Sequence, residues 1–206
     1  MNIINSLKTS LKKYNELYIL EEYNYKDDEY KKIYDIFDSK IIKQKYDKEN
    51  YTQITKVYNS RNISKLNDDD KYIRDIANEY LENAGLQQNI NHFMIEYWRY
   101  RLFGEKKSHT FDKHRDSFGA LNDGVNTCIF YLRKDKTFRG GDLEIYDKGN
   151  IFTSKLIQTI KPNNNILCFD GDVYHKVTDF EGFGIRDCIV VQICKNRNIN
   201  KAKIIN

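Results

Sequence analysis

From Phe93 onward the chain is written in short runs of β-branched and aromatic residues. Phe93–Tyr100 alternates in part, and Thr127–Leu132 is almost wholly apolar. Leu143–Tyr146, Ile166–Phe169 and Ile189–Ile193 continue the series. Between them lie turn formers: Asn122-Asp123-Gly124, Gly140-Gly141, Lys148-Gly149-Asn150, Pro162-Asn163-Asn164-Asn165 and Asp170-Gly171-Asp172. Short strands divided by such turns predict a sandwich or a double-sheet jelly roll. The first ninety or so residues follow a different rule. Lys8–Tyr23 places Leu11, Leu17 and Leu20 at helical spacing, and Asp70–Leu86 puts Ile73, Ile76, Ala77, Tyr80 and Leu81 on one face. Asn67-Asp68-Asp69-Asp70 offers an N-cap and an acidic first turn for the second segment. The polar, Tyr-rich stretch Lys40–Asn62 fits neither pattern. Helices first and strands afterwards predict an α+β fold.

Length supports this organisation: 206 residues are enough to bury a real core in one domain. We expect 1–206 as a single domain, with 1–90 a mainly helical support, 91–195 the strand core and 196–206 a basic tail. Neither an internal repeat nor a Pro/Gly/Ser linker interrupts it. Charge changes the picture little. Lys plus Arg total 34 against 30 Asp plus Glu, a net charge of +4. That permits an acidic partner without demanding one. The clusters Lys40, Lys43, Lys45, Lys48 and Lys195, Arg197, Lys201, Lys203 read most simply as solvated faces. The N-terminus lacks a continuous apolar core, and no segment has the length of a membrane span, so the expectation is a cytoplasmic protein without a membrane partner. Cys128, Cys168, Cys188 and Cys194 sit in apolar runs without paired metal spacing and read as buried thiols.

The chemistry lies in His114-Arg115-Asp116, His175 and Arg186. On an extended segment His114 and Asp116 point to the same face and can meet one ion. His175 must join them from a distant strand. Two imidazoles and one carboxylate leave positions open on the metal, the facial triad of non-haem Fe(II) oxygenases. A guanidinium shortly after the second histidine could grip the far carboxylate of a small dicarboxylate. His92 and His109 have no partner at such spacing, and Asp112 is expected to be solvated.

More of the C-terminal half fits one pattern. The run Thr127–Leu132 followed by Arg133-Lys134-Asp135, the Gly140-Gly141-Asp142-Leu143 segment taken as a hairpin, Phe111 before His114, Tyr100 on the preceding strand, and Asp172–Val177 around His175 together resemble the Fe(II)/2-oxoglutarate-dependent dioxygenases. The prolyl 4-hydroxylase group, with its oxygen-sensing prolyl hydroxylases, is the most similar. The resemblance implies a double-stranded β-helix (jelly-roll) core braced by N-terminal helices. It implies His114, Asp116 and His175 as Fe(II) ligands and Arg186 and Tyr131 on the 5-carboxylate of 2-oxoglutarate. Thr127 and Tyr100 would line the same pocket. O2 would be the co-substrate, with ascorbate an optional auxiliary reductant. The reaction would hydroxylate a C–H bond and release succinate and CO2. A protein or peptide side chain such as proline is the first expectation for the substrate. Nucleic acid is second, since nucleic-acid demethylases of this superfamily carry a further arginine where this chain has Gln192. A small molecule is a third. Arg186 lies eleven positions after His175, a slightly longer interval than is usual for the family, and Gly182 and Gly184 could absorb it. From another class, a non-catalytic module could retain the metal site. A zinc hydrolase would leave Arg186, Tyr131 and Thr127 without a shared purpose.

Overall fold

The computed structural model describes residues 19–42, 51–107, 112–118, 123–147 and 151–195. Outside the described residues lie most of the Lys8–Tyr23 segment, Lys43, Lys45, Lys48, His109, Phe111, the Lys148-Gly149-Asn150 turn and the 196–206 tail. In chain order the elements are β1 (Leu20–Asn24), α1 (Asp27–Ile42), β2 (Tyr51–Tyr58), a 3-10 turn (Ile63–Lys65), α2 (Asp68–Asn83) and β3 (Gln88–Lys107). They continue with β4 (Ser117–Phe118), β5 (Asp123–Lys134), β6 (Phe138–Gly140), β7 (Leu143–Tyr146), β8 (Leu156–Ile160), β9 (Asn165–Asp170), β10 (His175–Val177) and β11 (Phe180–Lys195).

The strands form two antiparallel sheets. The larger runs β1-β9-β5-β11-β3-β2, with β4 beside β5 and β6 beside β11, and the smaller runs β10-β7-β8. Alternation along the central strands explains the layering. Phe93, Ile95 and Tyr97 of β3, Cys128, Phe130 and Leu132 of β5, and Ile189, Val191 and Ile193 of β11 pack against Ile33 and Phe37 of α1 and Ile73, Ala77 and Leu81 of α2. Their sequence neighbours Trp98, Tyr100, Ile129, Tyr131 and Cys188 turn the other way and meet Leu143 and Ile145 of the small sheet. Both faces of β5 are therefore buried, which is why its Thr127–Leu132 stretch is almost wholly apolar. Each fully buried Phe or Ile here contributes roughly 1.5–3 kcal/mol. The core of the molecule is a β-sandwich, and α1 and α2 cover its outer face.

α2 begins where its cap is. The Asn67 side chain accepts a hydrogen bond from the Asp70 amide at 2.9 Å. The Asp70 carboxylate then receives Lys56 Nζ at 2.7 Å, the Tyr58 hydroxyl at 2.6 Å and the Tyr97 hydroxyl at 2.8 Å. The carboxylate itself is fully buried, and these partners tie the helix to β2 and β3.

Two expectations need correction. The helix over Lys8–Tyr23 does not extend through its described end: Leu20–Asn24 is β1, with Leu20 opposite Phe169 and Tyr23 opposite Ile166. Pairing with the edge of β9 satisfies the backbone there, and it overrides a helical spacing carried by few residues. The 1–90 region is thus helix and strand together, since β2 also joins the large sheet. Gly140-Gly141 is not a hairpin turn either. β6 pairs with β11 and β7 with β10, so the two glycines pass the chain from one sheet to the other.

Candidate metal and anion site

His114, Asp116 and His175 converge. One ligand atom from each lies within 4.8 Å of the others, a group that could hold a metal ion. His114 and His175 form an isolated antiparallel bridge, exchanging backbone hydrogen bonds at 2.9 Å each. That bridge places the two imidazoles side by side, ring centroids 4.5 Å apart. Asp116 is anchored by its own amide to the Gly171 carbonyl at 2.9 Å. His114 Nε2 and His175 Nε2 stand 3.6 and 3.4 Å from Asp116 Oδ1.

The neighbouring groups orient these three donors. Each histidine points Nδ1 at a carbonyl two residues earlier, His114 to Asp112 at 2.7 Å and His175 to Val173 at 2.9 Å. A carbonyl only accepts, so Nδ1 carries the proton and Nε2 is left as the metal-facing lone pair. Thr127 Oγ1 donates to Asp116 Oδ2 at 2.6 Å, which leaves Oδ1 for an ion. Burial alone would raise the Asp116 carboxyl; the facing His175 and the Thr127 hydroxyl outweigh it and hold it below its ordinary range. His114 is pushed down by burial and by His175, which favours the neutral, ligating imidazole. For His175 burial pulls down, but the facing Asp116 wins and raises it, so a proton competes with a metal there.

The same cavity, about 350 Å³, extends from this cluster to Arg186. Two buried arginines on the large sheet make an instructive contrast. On the helix side Arg99 forks onto Asp187, Nε to Oδ1 at 2.8 Å and Nη2 to Oδ2 at 2.9 Å. On the cavity side Arg186 is 3% exposed and meets no carboxylate among the described residues. Its Nη1 approaches only the Cys188 sulfur at 3.6 Å. Its Nε and the Tyr131 hydroxyl are buried and, among the described residues, without a hydrogen-bond partner. Aromatic rings surround the guanidinium, Tyr131 at 5.5 Å and Tyr100 and Phe180 at 5.8 Å. An unpaired buried charge costs several kcal/mol, so this end of the cavity fits an anion. Donors from Arg186 and Tyr131 suit a carboxylate.

The backbone is shaped around that guanidinium. A Cβ on Gly141, whose φ is +72°, would sit 3.1 Å from Arg186 Nε. Between Glu181 and Phe183 the register of β11 against β3 shifts, two steps on β11 facing three on β3 from Lys106 to Phe103, so the extra residue lies on β3. Gly182 takes φ +102° there, and a side chain would strike the Thr137 carbonyl at 2.2 Å.

All seven residues expected from the sequence (Tyr100, His114, Asp116, Thr127, Tyr131, His175 and Arg186) line this one cavity. The Thr127 hydroxyl is committed to Asp116, a role the sequence did not reveal because the partners are eleven positions apart on different segments. Cavity-lining residues Glu96, Trp98 and Gln192 were also missed as site residues. Only their alternation with helix-facing neighbours on β3 and β11 could have marked them.

Comparison with known proteins agrees with this geometry. Residues 95–191 match the family model described as the 2OG-Fe(II) oxygenase superfamily. No curated protein matches the chain. Among solved structures, IDO from Bacillus thuringiensis is similar with a TM-score of 0.58 at 15% identity, over 87% of this chain and 95% of that one. A 2OG-Fe(II) oxygenase family oxidoreductase from Burkholderia pseudomallei gives 0.58 at 10% identity, covering 86% of each chain. A Pseudomonas putida prolyl-4-hydroxylase gives 0.50 at 11%, over 87% and 94%. At these identities the structural likeness speaks for the fold. The family match implies Fe(II), 2-oxoglutarate and O2, and it supports a dioxygenase; the donor set and the unpaired guanidinium fit both groups.

Proposed function

We propose, from a 2OG-Fe(II) oxygenase match that spans the strands bearing the site, that this protein hydroxylates a C–H bond at the expense of 2-oxoglutarate, releasing succinate and CO2. The scaffold is read as a single-domain double-stranded β-helix, with His114, Asp116 and His175 holding the iron. The observation that carries the reading is Arg186: a buried cation without a counter-ion among the described residues, at the far end of the cavity that holds the metal cluster.

When bound, iron with 2-oxoglutarate supplies O2 activation and the oxidative decarboxylation that drives hydroxylation. The chain does the rest. Arg186 and the Tyr131 hydroxyl would take the 5-carboxylate and hold the co-substrate in place. Tyr100 and Phe180 wall the guanidinium from water, which strengthens that ion pair. Thr127 keeps one Asp116 oxygen occupied and directs the other to the metal. The carbonyls of Asp112 and Val173 hold both imidazoles in the ligating tautomer. Ascorbate is an auxiliary reductant in this reading.

A protein side chain such as proline is our first choice of substrate, supported by the fold shared with the Pseudomonas putida prolyl-4-hydroxylase. Gln192 in the cavity, where nucleic-acid demethylases place a second arginine, weighs against nucleic acid.

The test is succinate formation by protein loaded anaerobically with Fe(II) and then given 2-oxoglutarate and O2. We expect slow succinate release without a primary substrate, abolished by His114→Ala. A protein that binds zinc in preference and forms no succinate would refute the reading.

A further inference from the structure

Glu96 is the one carboxylate lining the cavity, among the described residues, that belongs to neither the metal cluster nor the anion end. Three neutral donors hold it: Gln53 Nε2 at 2.9 Å, Thr55 Oγ1 at 3.1 Å and Trp98 Nε1 at 3.4 Å. It forms no ion pair with a Lys, Arg or His among the described residues. Elsewhere in the molecule a partly or fully buried carboxylate commonly has a cation, as Asp70 has Lys56 and Asp187 has Arg99. Glu96, only partly buried, is instead held by neutral donors among the described residues, and its charge is left for a partner from outside.

Its position matters more than its charge. On the large sheet Glu96 stands opposite Val190, and Val190 opposite Ile129. One row further, Met94 faces Gln192 and Gln192 faces Thr127, whose hydroxyl touches Asp116. Glu96 is therefore two strand spacings, about 10 Å, across the sheet from the strand beside the metal cluster. It lies along the sheet from Arg186, whose row is Tyr100 and Lys134. The 2-oxoglutarate site uses the Arg186 end, so the Glu96 flank remains for the molecule being oxidised. The Trp98 ring beside it, stacked on Tyr100 at 5.6 Å and near Tyr51 at 6.0 Å, adds an aromatic face of the kind that attracts cations.

We infer that Glu96 determines substrate specificity: the molecule hydroxylated carries an ammonium or guanidinium group, several bonds from the oxidised carbon, that pairs with this carboxylate beside Trp98. This rests on the dioxygenase reading above and narrows it. Two sources present that chemistry, a lysine- or arginine-bearing peptide, with prolyl peptides flanked by such residues included, and a free amino acid or small amine.

The experiment uses the full chain loaded with Fe(II) and 2-oxoglutarate and a panel of matched pairs. Peptides with lysine or arginine are set against their acetyl-lysine or citrulline counterparts, and free amino acids and amines against their N-acetyl forms. Mass gain of one oxygen reports turnover, and calorimetry on protein loaded with Mn(II) and 2-oxoglutarate reports binding without chemistry. We expect the cationic member of a productive pair to be preferred by about tenfold or more, and the pairs that respond to tell peptide from small amine. In Glu96→Gln that ratio falls towards one, mostly through KM. Comparing pairs within one protein cancels any general loss of activity, and a Glu96→Lys variant should reverse the preference. Equal use of neutral and cationic members, or a preference that survives in Glu96→Gln, overturns the inference. So does wild-type protein that forms succinate yet responds to no cationic member, and that outcome leaves the dioxygenase reading standing. Wild-type protein that neither binds 2-oxoglutarate nor forms succinate removes both.

Discussion

Arg186 and Asp187 are adjacent, yet one enters the cavity and the other pairs with Arg99 on the helix side. The unpaired cation is a cost to the folded chain that a bound dicarboxylate would offset. Replacing Arg186 with Leu should therefore stabilise the ligand-free protein, by about 1–3 kcal/mol in urea unfolding, while abolishing 2-oxoglutarate binding. Loss of stability in Arg186→Leu would mean that the guanidinium already has its partner. Thr127 makes a second case. Thr127→Val keeps the shape but removes the 2.6 Å hydrogen bond to Asp116. Fe(II) affinity should fall by roughly 10–100-fold, read by metal titration under argon, with little change in melting temperature. At this scale the sequence displayed the ligands but not what supports them. His114 and Asp116 announce themselves because a two-residue offset on extended chain shares a face. Thr127 with Asp116, or Glu96 with Gln53, meet only after strands far apart in sequence pair.

Among the elements, the strands most readily read were those buried on both sides. Thr127–Leu132, Ile166–Phe169 and Ile189–Ile193 all fall inside β5, β9 and β11. β2 escaped notice because one of its faces is polar: Gln53 and Thr55 face the cavity side while Ile54 and Tyr58 pack towards the helices. β1 was misread because five residues are too few to separate a helical from an extended period. α2 was legible down to its cap. Its Asp70 carries a pH signature. Burial would raise that carboxyl, but the hydrogen bonds from Lys56, Tyr58 and Tyr97 outweigh it and hold it below its ordinary 3.8. A folded value below the unfolded one adds stability that is fully present above about pH 4. That contribution disappears as the pH drops through the lowered folded value. Asp70→Asn should thus be less stable than wild type by about 2 kcal/mol at pH 7. The gap should stay level to pH 5 and narrow below pH 4, in denaturant melts taken across that range. A gap that widens in acid would contradict the sign.

For the molecule as a whole, the layers divide the work. Helices and the outer face of the large sheet supply an apolar core, and the inner face, shared with the small sheet, supplies a largely apolar cavity with the metal cluster and Arg186 set into its wall. A ligand that reaches from the metal cluster to Arg186 spans both sheets, because His175 belongs to β10 and Arg186 to β11. Mn(II) with 2-oxoglutarate at a hundred times its dissociation constant should accordingly stabilise the fold by about 2.7 kcal/mol. Scanning calorimetry would show this as a higher melting temperature when 2-oxoglutarate is added to Mn(II)-loaded wild type, and no further rise when it is added to Mn(II)-loaded Arg186→Leu. The extra residue of β3 opposite Glu181–Phe183 has a consequence of its own. It lies outward of Phe103, and from Phe183 opposite Phe103 the pairing runs regularly to Arg186 opposite Tyr100, so the outer end of β3 can vary in length while the guanidinium keeps its address. A lineage can remodel the rim of this cup without disturbing its floor.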